Sequence, residues 1–111
     1  MKVTRIGEAP AYQAPEHYDM AMVRLQGHEA SETAAMWAGL SHLLPGGHTS
    51  LKASPHEKIY VVIAGEVTIG NGEEEAVLGP LDSCVISRGE ARKLENRGKL
   101  PATVLLVMEK G

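Results

Sequence analysis

Cationic side chains occur in three short segments of the sequence that also carry other polar residues. Lys58 and Tyr60 stand two residues apart in one segment, Lys52 and Ser54 in another, and Arg92 lies in a third. Side chains two residues apart in a β-strand point to the same face, so each pair would line one surface. Lysine and arginine favour a carboxylate or phosphate ligand. Tyr60 could direct its hydroxyl at such a ligand or pack as the large residue of its strand.

Histidine is the second residue type that could act chemically. Three of the five histidines, His42, His48 and His56, are close together in the sequence. His42 alternates with Leu40 and Leu44, which predicts that it faces the interior of the fold. A histidine there would be a hydrogen-bond partner or a proton shuttle near neutral pH. Because imidazole is also a common metal ligand, a metal site built from the three histidines is the alternative interpretation.

Composition limits the classes of partner. The chain has 111 residues, a formal net charge of -3 and a single cysteine, Cys84. An acidic chain argues against nucleic-acid binding, and no apolar run has the length needed to cross a bilayer. Because Cys84 has no second cysteine to pair with, we expect a reducing, cytoplasmic location. Its own expected role is that of a small buried hydrophobe.

The elements that must position these side chains are predicted to be short strands. Runs of β-branched and apolar residues are separated by glycine and proline, and Gly70-Asn71-Gly72 is a strong hairpin signal. No repeat or polar linker divides the chain, so residues 1–111 form one predicted domain, with residues 1–19 wrapping its outside. Many short strands without helical periods predict an all-β sandwich or barrel. The predicted strands cover residues 20–26, 36–44, 58–63, 66–69, 73–78, 83–87, 91–96 and 103–108.

Two stretches resemble the conserved motifs of the cupin family. Residues 45–67 begin with Pro45-Gly46-Gly47 and end with Gly65-Glu66-Val67, which resembles the first cupin motif. Residues 79–96 begin with Gly79-Pro80-Leu81-Asp82 and end at Asn96, which resembles the second. The short gap between them is similar to that of compact single-domain cupins. The resemblance implies that the all-β fold is a double-stranded β-helix, or jelly-roll barrel.

The resemblance also implies where a metal would bind. In typical cupins two histidines, a glutamate and a third histidine hold a divalent metal inside the barrel. Those four positions fall on Lys52, Ser54, Lys58 and Arg92 in this sequence. Protonated lysine and arginine have no lone pair to give a cation. We therefore expect no metal, no cofactor and none of the metal chemistry that is usual in the family.

If the family register holds, Lys52, Lys58 and Arg92 meet at the mouth of the barrel. Two like charges about 5 Å apart at an effective dielectric of about 20 repel by roughly 3 kcal/mol. The trio therefore needs an anion, a lowered lysine pKa or an escape to solvent. In the first case Arg92 and Lys52 would hold a small anionic ligand, and Lys58 or His42 would move a proton. In the last, the long side chains would reach solvent and stay hydrated.

The predicted cationic, metal-free cavity suggests two main classes of function. The first is a metal-independent isomerase, epimerase or lyase acting on an anionic metabolite, since metal-free sugar-nucleotide epimerases of this family carry out acid–base chemistry in the same barrel. The second is a non-catalytic module that senses or carries an anionic ligand. A third and weaker one is a metal-dependent cupin that uses the displaced histidines. Small cupins commonly dimerise, so the resemblance also implies a homodimer.

Overall fold

The computed structural model describes all 111 residues, and the chain is built almost entirely of β-strands. A single 3-10 turn, Ile6–Glu8, precedes them. No helix is long and apolar enough to span a membrane. The strands are β1 (Ala11–Tyr12), β2 (His17–Gln26), β3 (Met36–Thr49), β4 (Lys52–Ala53), β5 (Lys58–Ala64), β6 (Val67–Gly70), β7 (Glu75–Leu78), β8 (Ser83–Ile86), β9 (Ala91–Glu95) and β10 (Ala102–Glu109).

The strands form a nearly closed antiparallel barrel. Hydrogen bonding links them in the order β7-β6-β9-β3-β10-β5-β8, with β2 added at β3 and β4 added at β9. Most neighbours in this order are distant in sequence, as expected when strands cross between the two sides of a jelly roll. The predicted all-β, double-stranded β-helix fold is therefore confirmed.

β3 is the longest strand and joins the two sides of the barrel. It pairs with β2 and β10 along most of its length and with β9 near its end. The prediction that this strand stops at Leu44 was wrong, because Gly46 bends the chain at a φ of +85° without ending the strand. Gly47 then passes close to β2, where a Cβ would lie 2.6 Å from the carbonyl oxygen of Asp19.

The hydrophobic core fills one end of the barrel. Its members are aliphatic apart from Tyr60, as expected for a chain without phenylalanine, and burying each large one is worth about 1.5–3 kcal/mol. Tyr60 and Leu94 belong to this core and also border the cavity described below, so they form the floor between the two. The core residues are Leu43, Tyr60, Val62, Val67, Ile69, Ile86, Leu94, Ala102 and Val104.

Asn96, the last residue of the second motif, has a structural role. Its side chain is 1% exposed, and its Nδ2 donates to the carbonyl oxygens of Leu43 at 3.1 Å and Leu100 at 2.8 Å. Its Oδ1 accepts from the backbone N–H of Gly98 at 2.9 Å. Because a buried amide is costly unless it is hydrogen-bonded, these contacts tie the turn after β9 to β3.

The N-terminal segment does more than wrap the outside of the barrel. β1 pairs with β2, which begins at His17, three residues before the predicted start. Residues Tyr12 to Pro15 and His17 all border the cavity. The segment predicted as an outer wrapping therefore supplies one wall of the candidate site.

Candidate functional site

A cavity of about 440 Å³ lies above the floor formed by Tyr60 and Leu94. This volume is in the usual range for sites that take small molecules. Lys52 and Arg92 are direct partners across β4 and β9, and β5 brings Lys58 and Tyr60 to the same space. The cavity is thus lined by all five residues that the motif register brought together: Lys52, Ser54, Lys58, Tyr60 and Arg92.

Arg92 is held in place by neutral partners. Its Nη1 donates to Thr49 Oγ1 at 2.7 Å and to the Ser50 carbonyl oxygen at 3.3 Å, while its buried Nε has no partner. Thr49 is itself 0% exposed and also accepts from the Leu94 N–H at 3.0 Å, so its position is fixed. No carboxylate forms an ion pair with Arg92. The guanidinium therefore presents an unbalanced charge to the cavity.

Lys58 is the second unbalanced cation. Its side chain is 3% exposed, at the start of β5, and no acid pairs with it. Burial lowers the pKa of Lys58, and the neighbouring Arg92 charge lowers it further. Both effects act in the same direction, since each disfavours the charged ammonium. An anion in the cavity would relieve this cost, and a neutral Lys58 could accept a proton.

Lys52 behaves differently from Lys58. Its side chain is 62% exposed, and its Nζ lies 3.3 Å from Glu16 Oε2. The escape to solvent considered from the sequence thus holds for Lys52 and not for Lys58. Glu16 was not anticipated as a partner, since it lies in the N-terminal segment, outside both motifs.

Ser54 and Tyr60 complete the predicted set. Ser54 Oγ lies 3.3 Å from the His56 N–H and 3.4 Å from the His56 carbonyl oxygen, so it shapes the turn before β5. Tyr60 is 3% exposed, and burial raises the pKa of its phenol, an effect that the Arg92 charge partly offsets. Its hydroxyl is therefore a neutral group at the cavity floor.

His42 does not reach the cavity, and the prediction that it faces the interior was wrong. Its neighbours Ser41 and Leu43 are buried, whereas His42 is exposed and its Nδ1 lies 3.0 Å from Thr103 Oγ1. His42 does share one face of β3 with Leu40 and Leu44, but that face points outward from the barrel. A proton shuttle inside the barrel cannot be built on this residue.

The three histidines considered as a displaced metal site are not brought together. His42 lies on the outer face, His48 stacks on Tyr18 with ring centroids 4.9 Å apart, and His56 alone borders the cavity. No three histidine, cysteine or acidic side chains are close enough to hold a metal ion. Nor do the cations at the family's ligand positions fit one, since they have no lone pair to offer.

His17 is a cavity residue that the sequence did not reveal. Its Nδ1 lies 2.7 Å from the Pro15 carbonyl oxygen, which makes Nδ1 the protonated nitrogen and leaves a lone pair on Nε2. Burial lowers the pKa of His17, the bond to Pro15 works in the opposite direction, and the charges of Arg92 and Lys52 lower it again. A neutral imidazole beside two cations is a suitable proton acceptor.

Glu109 is the one acidic side chain among the residues that line the cavity. It accepts two hydrogen bonds from Arg88, at 2.8 and 2.7 Å, and one from the Glu57 N–H at 2.7 Å. The bonds from Arg88, followed by the backbone bond, lower the pKa of Glu109 to about 2. It is therefore ionised and engaged at the rim, and it is not suited to donate a proton.

An arginine and two aromatic rings form another part of the lining. The Arg24 guanidinium carbon lies 3.5 Å from the Tyr12 ring centroid and 4.6 Å from that of Trp37. None of these three residues was among the predicted site residues. Trp37 is 8% exposed and borders the cavity.

A nearly closed antiparallel barrel with a ligand-sized cavity and a cationic wall defines a small-molecule-binding β-barrel. The family model described as Cupin domain matches residues 39–108, and the chain belongs to the cupin family. A protein from Mycobacterium tuberculosis named Beta-D-galactosidase Rv1717 is 41% identical over 108 residues, covering 97% of this chain and 93% of that protein. The family and this relative agree with a small-molecule cupin.

Solved structures give the same fold. TT1209 from Thermus thermophilus superimposes with a TM-score of 0.77 at 28% identity, covering 98% of this chain and 97% of that one. The polyketide cyclase RemF from Streptomyces resistomycificus has a TM-score of 0.85 at 17% identity, covering 98% of this chain and 79% of that one. The second likeness supports the barrel fold alone.

Proposed function

We propose that this chain binds a small molecule with a carboxylate or phosphate group in the barrel cavity and acts on it by metal-independent acid–base chemistry of the isomerase, epimerase or lyase type. One observation carries the proposal: Lys58 and Arg92 face one cavity, and neither has an acidic partner. A bound anion would offset both charges and complete the hydrogen bonding of the Arg92 guanidinium.

Proton transfer would fall to His17 and Lys58. His17, and not His42, would be the histidine that accepts a proton, because it borders the cavity and carries its lone pair on Nε2. Lys58 has its pKa lowered by burial and by Arg92, so it can lose and regain a proton more readily than a free lysine. Together the two residues would supply a proton acceptor and a proton donor for a carbon next to the bound anionic group.

Isothermal titration calorimetry with inorganic phosphate and with acetate, at constant ionic strength, tests the binding step. Wild-type protein should bind at least one of them saturably, and Arg92→Met should weaken that binding about ten-fold or more, the usual worth of a charge-assisted hydrogen bond. Arg97→Met is the matched control, because it removes the same charge from an ion pair with Glu75 and Glu95 outside the cavity. Equal losses in the two variants would contradict the proposal.

Hydrolysis of a β-galactoside is the second candidate function, and the 41% identical relative favours it. Glycosidases usually place two carboxyl groups across the scissile bond, about 5 to 9.5 Å apart. Glu109 is the only acidic side chain that lines this cavity, and it is bound to Arg88. Any hydrolysis here would therefore rely on other groups, and His17, with its lone pair on Nε2, could serve as the general base that activates water.

Release of p-nitrophenol from p-nitrophenyl β-D-galactoside tests this second candidate. If hydrolysis occurs, His17→Gln should reduce the rate by about 100-fold, the lower range for losing a general acid or base. Loss of the rate in Glu109→Gln with no effect of His17→Gln would instead assign the chemistry to the carboxylate. Binding of anions without turnover of any sugar acid or galactoside would favour the non-catalytic carrier or sensor.

A further inference from the structure

Arg24 is a cavity residue whose position is fixed on three sides. Its guanidinium carbon lies within cation–π distance of the Tyr12 and Trp37 rings, and its Nε donates to Glu29 Oε2 at 2.8 Å. The side chain is 14% exposed, whereas that of Glu29 is 56% exposed. Arginine planes held by aromatic rings and a carboxylate lose much of their freedom to rotate. Arg24 is therefore a rigid feature of the lining.

The two Nη nitrogens of Arg24 remain free. Its Nε is the only nitrogen that donates to an acceptor of the chain, while the side chain borders the cavity. A guanidinium offers five N–H donors in one plane, and those on Nη1 and Nη2 form a fork that suits two neighbouring oxygen atoms. An anion bound by Lys58 and Arg92 does not by itself give this fork a hydrogen-bond acceptor.

The Arg24 fork differs from the anion site in its charge balance. Glu29 balances the charge of Arg24, whereas Arg92 is held by Thr49 and a carbonyl oxygen and stays unbalanced. An anion is therefore drawn to Arg92, and a balanced donor fork suits uncharged acceptors such as hydroxyl oxygens. Tyr12 and Trp37 beside the fork offer apolar surface to C–H groups.

We propose that the ligand is a sugar or a ring polyol that carries one anionic group, with the Arg24 fork donating to two adjacent hydroxyl oxygens while Arg92 and Lys58 hold the anionic group. This inference rests on the proposed anion site and adds the class of molecule. A neutral sugar would leave the cations unbalanced, and a simple carboxylate would leave the fork unpaired. Only a ligand with both features satisfies both parts of the lining.

Calorimetric titration with two ring carboxylates tests the inference. D-Galacturonate and cyclohexanecarboxylate share a six-membered ring and one carboxylate, and only the first has hydroxyls. Wild type should bind galacturonate at least ten-fold more tightly than it binds cyclohexanecarboxylate. Arg24→Lys keeps the charge but loses the planar fork, so the preference should fall to about three-fold or less with cyclohexanecarboxylate affinity unchanged. Arg92→Met should weaken both ligands by the same factor.

Two further measurements keep the test decisive. If Arg24→Lys does not fold, Glu29→Ala replaces it, since loss of this exposed carboxylate frees the guanidinium to rotate and should reduce the preference. Cyclohexane-1,4-dicarboxylate tests whether Arg24 binds a second carboxylate instead of hydroxyl groups. If it binds more tightly than galacturonate, the proposal that Arg24 donates to hydroxyl oxygens is wrong. Equal wild-type affinity for the two ring carboxylates would overturn it as well and leave the anion site standing. Binding of neither would overturn the anion site itself.

Discussion

The two lysines that line the cavity, Lys52 and Lys58, have opposite environments. Lys58 is 3% exposed and has no acidic partner, whereas the Lys52 side chain is 62% exposed and lies 3.3 Å from Glu16 Oε2. Both border the same cavity. The comparison shows that two cations bordering one cavity are not equivalent, because local burial decides which of them a ligand has to neutralise.

The difference in burial between Lys58 and Lys52 follows from the positions of their strands in the sheet. Lys58 begins β5, which is paired on both sides, by β8 and β10. Lys52 lies in the two-residue strand β4, which is paired on one side only, by β9. A lysine at an edge can turn its side chain to solvent at little cost, and one inside a sheet cannot. We therefore expect ligand binding to depend on Lys58 and hardly on Lys52.

The largest expected effect is on anion affinity. Lys58→Met should weaken sulfate binding about ten-fold or more, since the loss of a charged hydrogen bond in a buried site costs roughly 1.5–3 kcal/mol. Lys52→Met removes the same charge and should change the affinity less than two-fold. Calorimetry at fixed ionic strength measures both. Similar losses in the two variants would show that the lysines contribute through net charge and not through position.

The next effect is on stability and its dependence on pH. Lys58→Met replaces a desolvated cation and should raise the Tm by several degrees at pH 7, since about 1 kcal/mol shifts it by roughly 4–8 °C in a domain of this size. The folded-state pKa of Lys58 is lowered from the ordinary 10.5, so the unfolded chain binds more protons between those two values. Wild-type stability should therefore rise with pH in that window, relative to Lys58→Met.

Urea unfolding of the two proteins from pH 7 to pH 10.5 measures this difference. The stability advantage of Lys58→Met should shrink as the pH rises, and Lys52→Met should follow the wild type. Sulfate is a suitable companion probe because its own charge is constant in this range. Its affinity for wild type should fall as Lys58 loses its proton, and a flat profile would assign the anion to Arg92 alone.

The fold could be predicted because its signals are local. Glycine and proline mark the turns, β-branched runs mark the strands, and Asn71 accepts from the N–H groups of Glu73 and Glu74 at 2.9 Å, as expected for a tight hairpin. The convergence of Lys52, Lys58 and Arg92 was expected from the resemblance to the two cupin motifs, and all three line the cavity. The resemblance supplied the long-range pairing of these strands that local signals do not contain.

The remaining parts depend on long-range pairing and could not be read from the sequence. His42 was misplaced because half-buried Leu40, Val61 and Leu105 make the outer sheet face apolar, so alternation does not reveal which face is inside. His17 and Arg24 lie in β2, whose pairing with β3 shifts register once between Tyr18 and Met20 and again between Arg24 and Gln26. A single such shift reverses the face of every following side chain.

The smallest expected effect comes from the partner of Lys52. Glu16→Gln removes an acid that is 47% exposed and leaves Lys52 without an ion pair. Exposed ion pairs are weak and screened by salt, so sulfate affinity should rise less than two-fold, and only at low ionic strength. Calorimetry at about 20 mM and 200 mM salt measures this. A gain as large as the loss in Lys58→Met would mean that Lys52 swings into the cavity once it is released, and the contrast between the two lysines would then be one of pairing and not of burial.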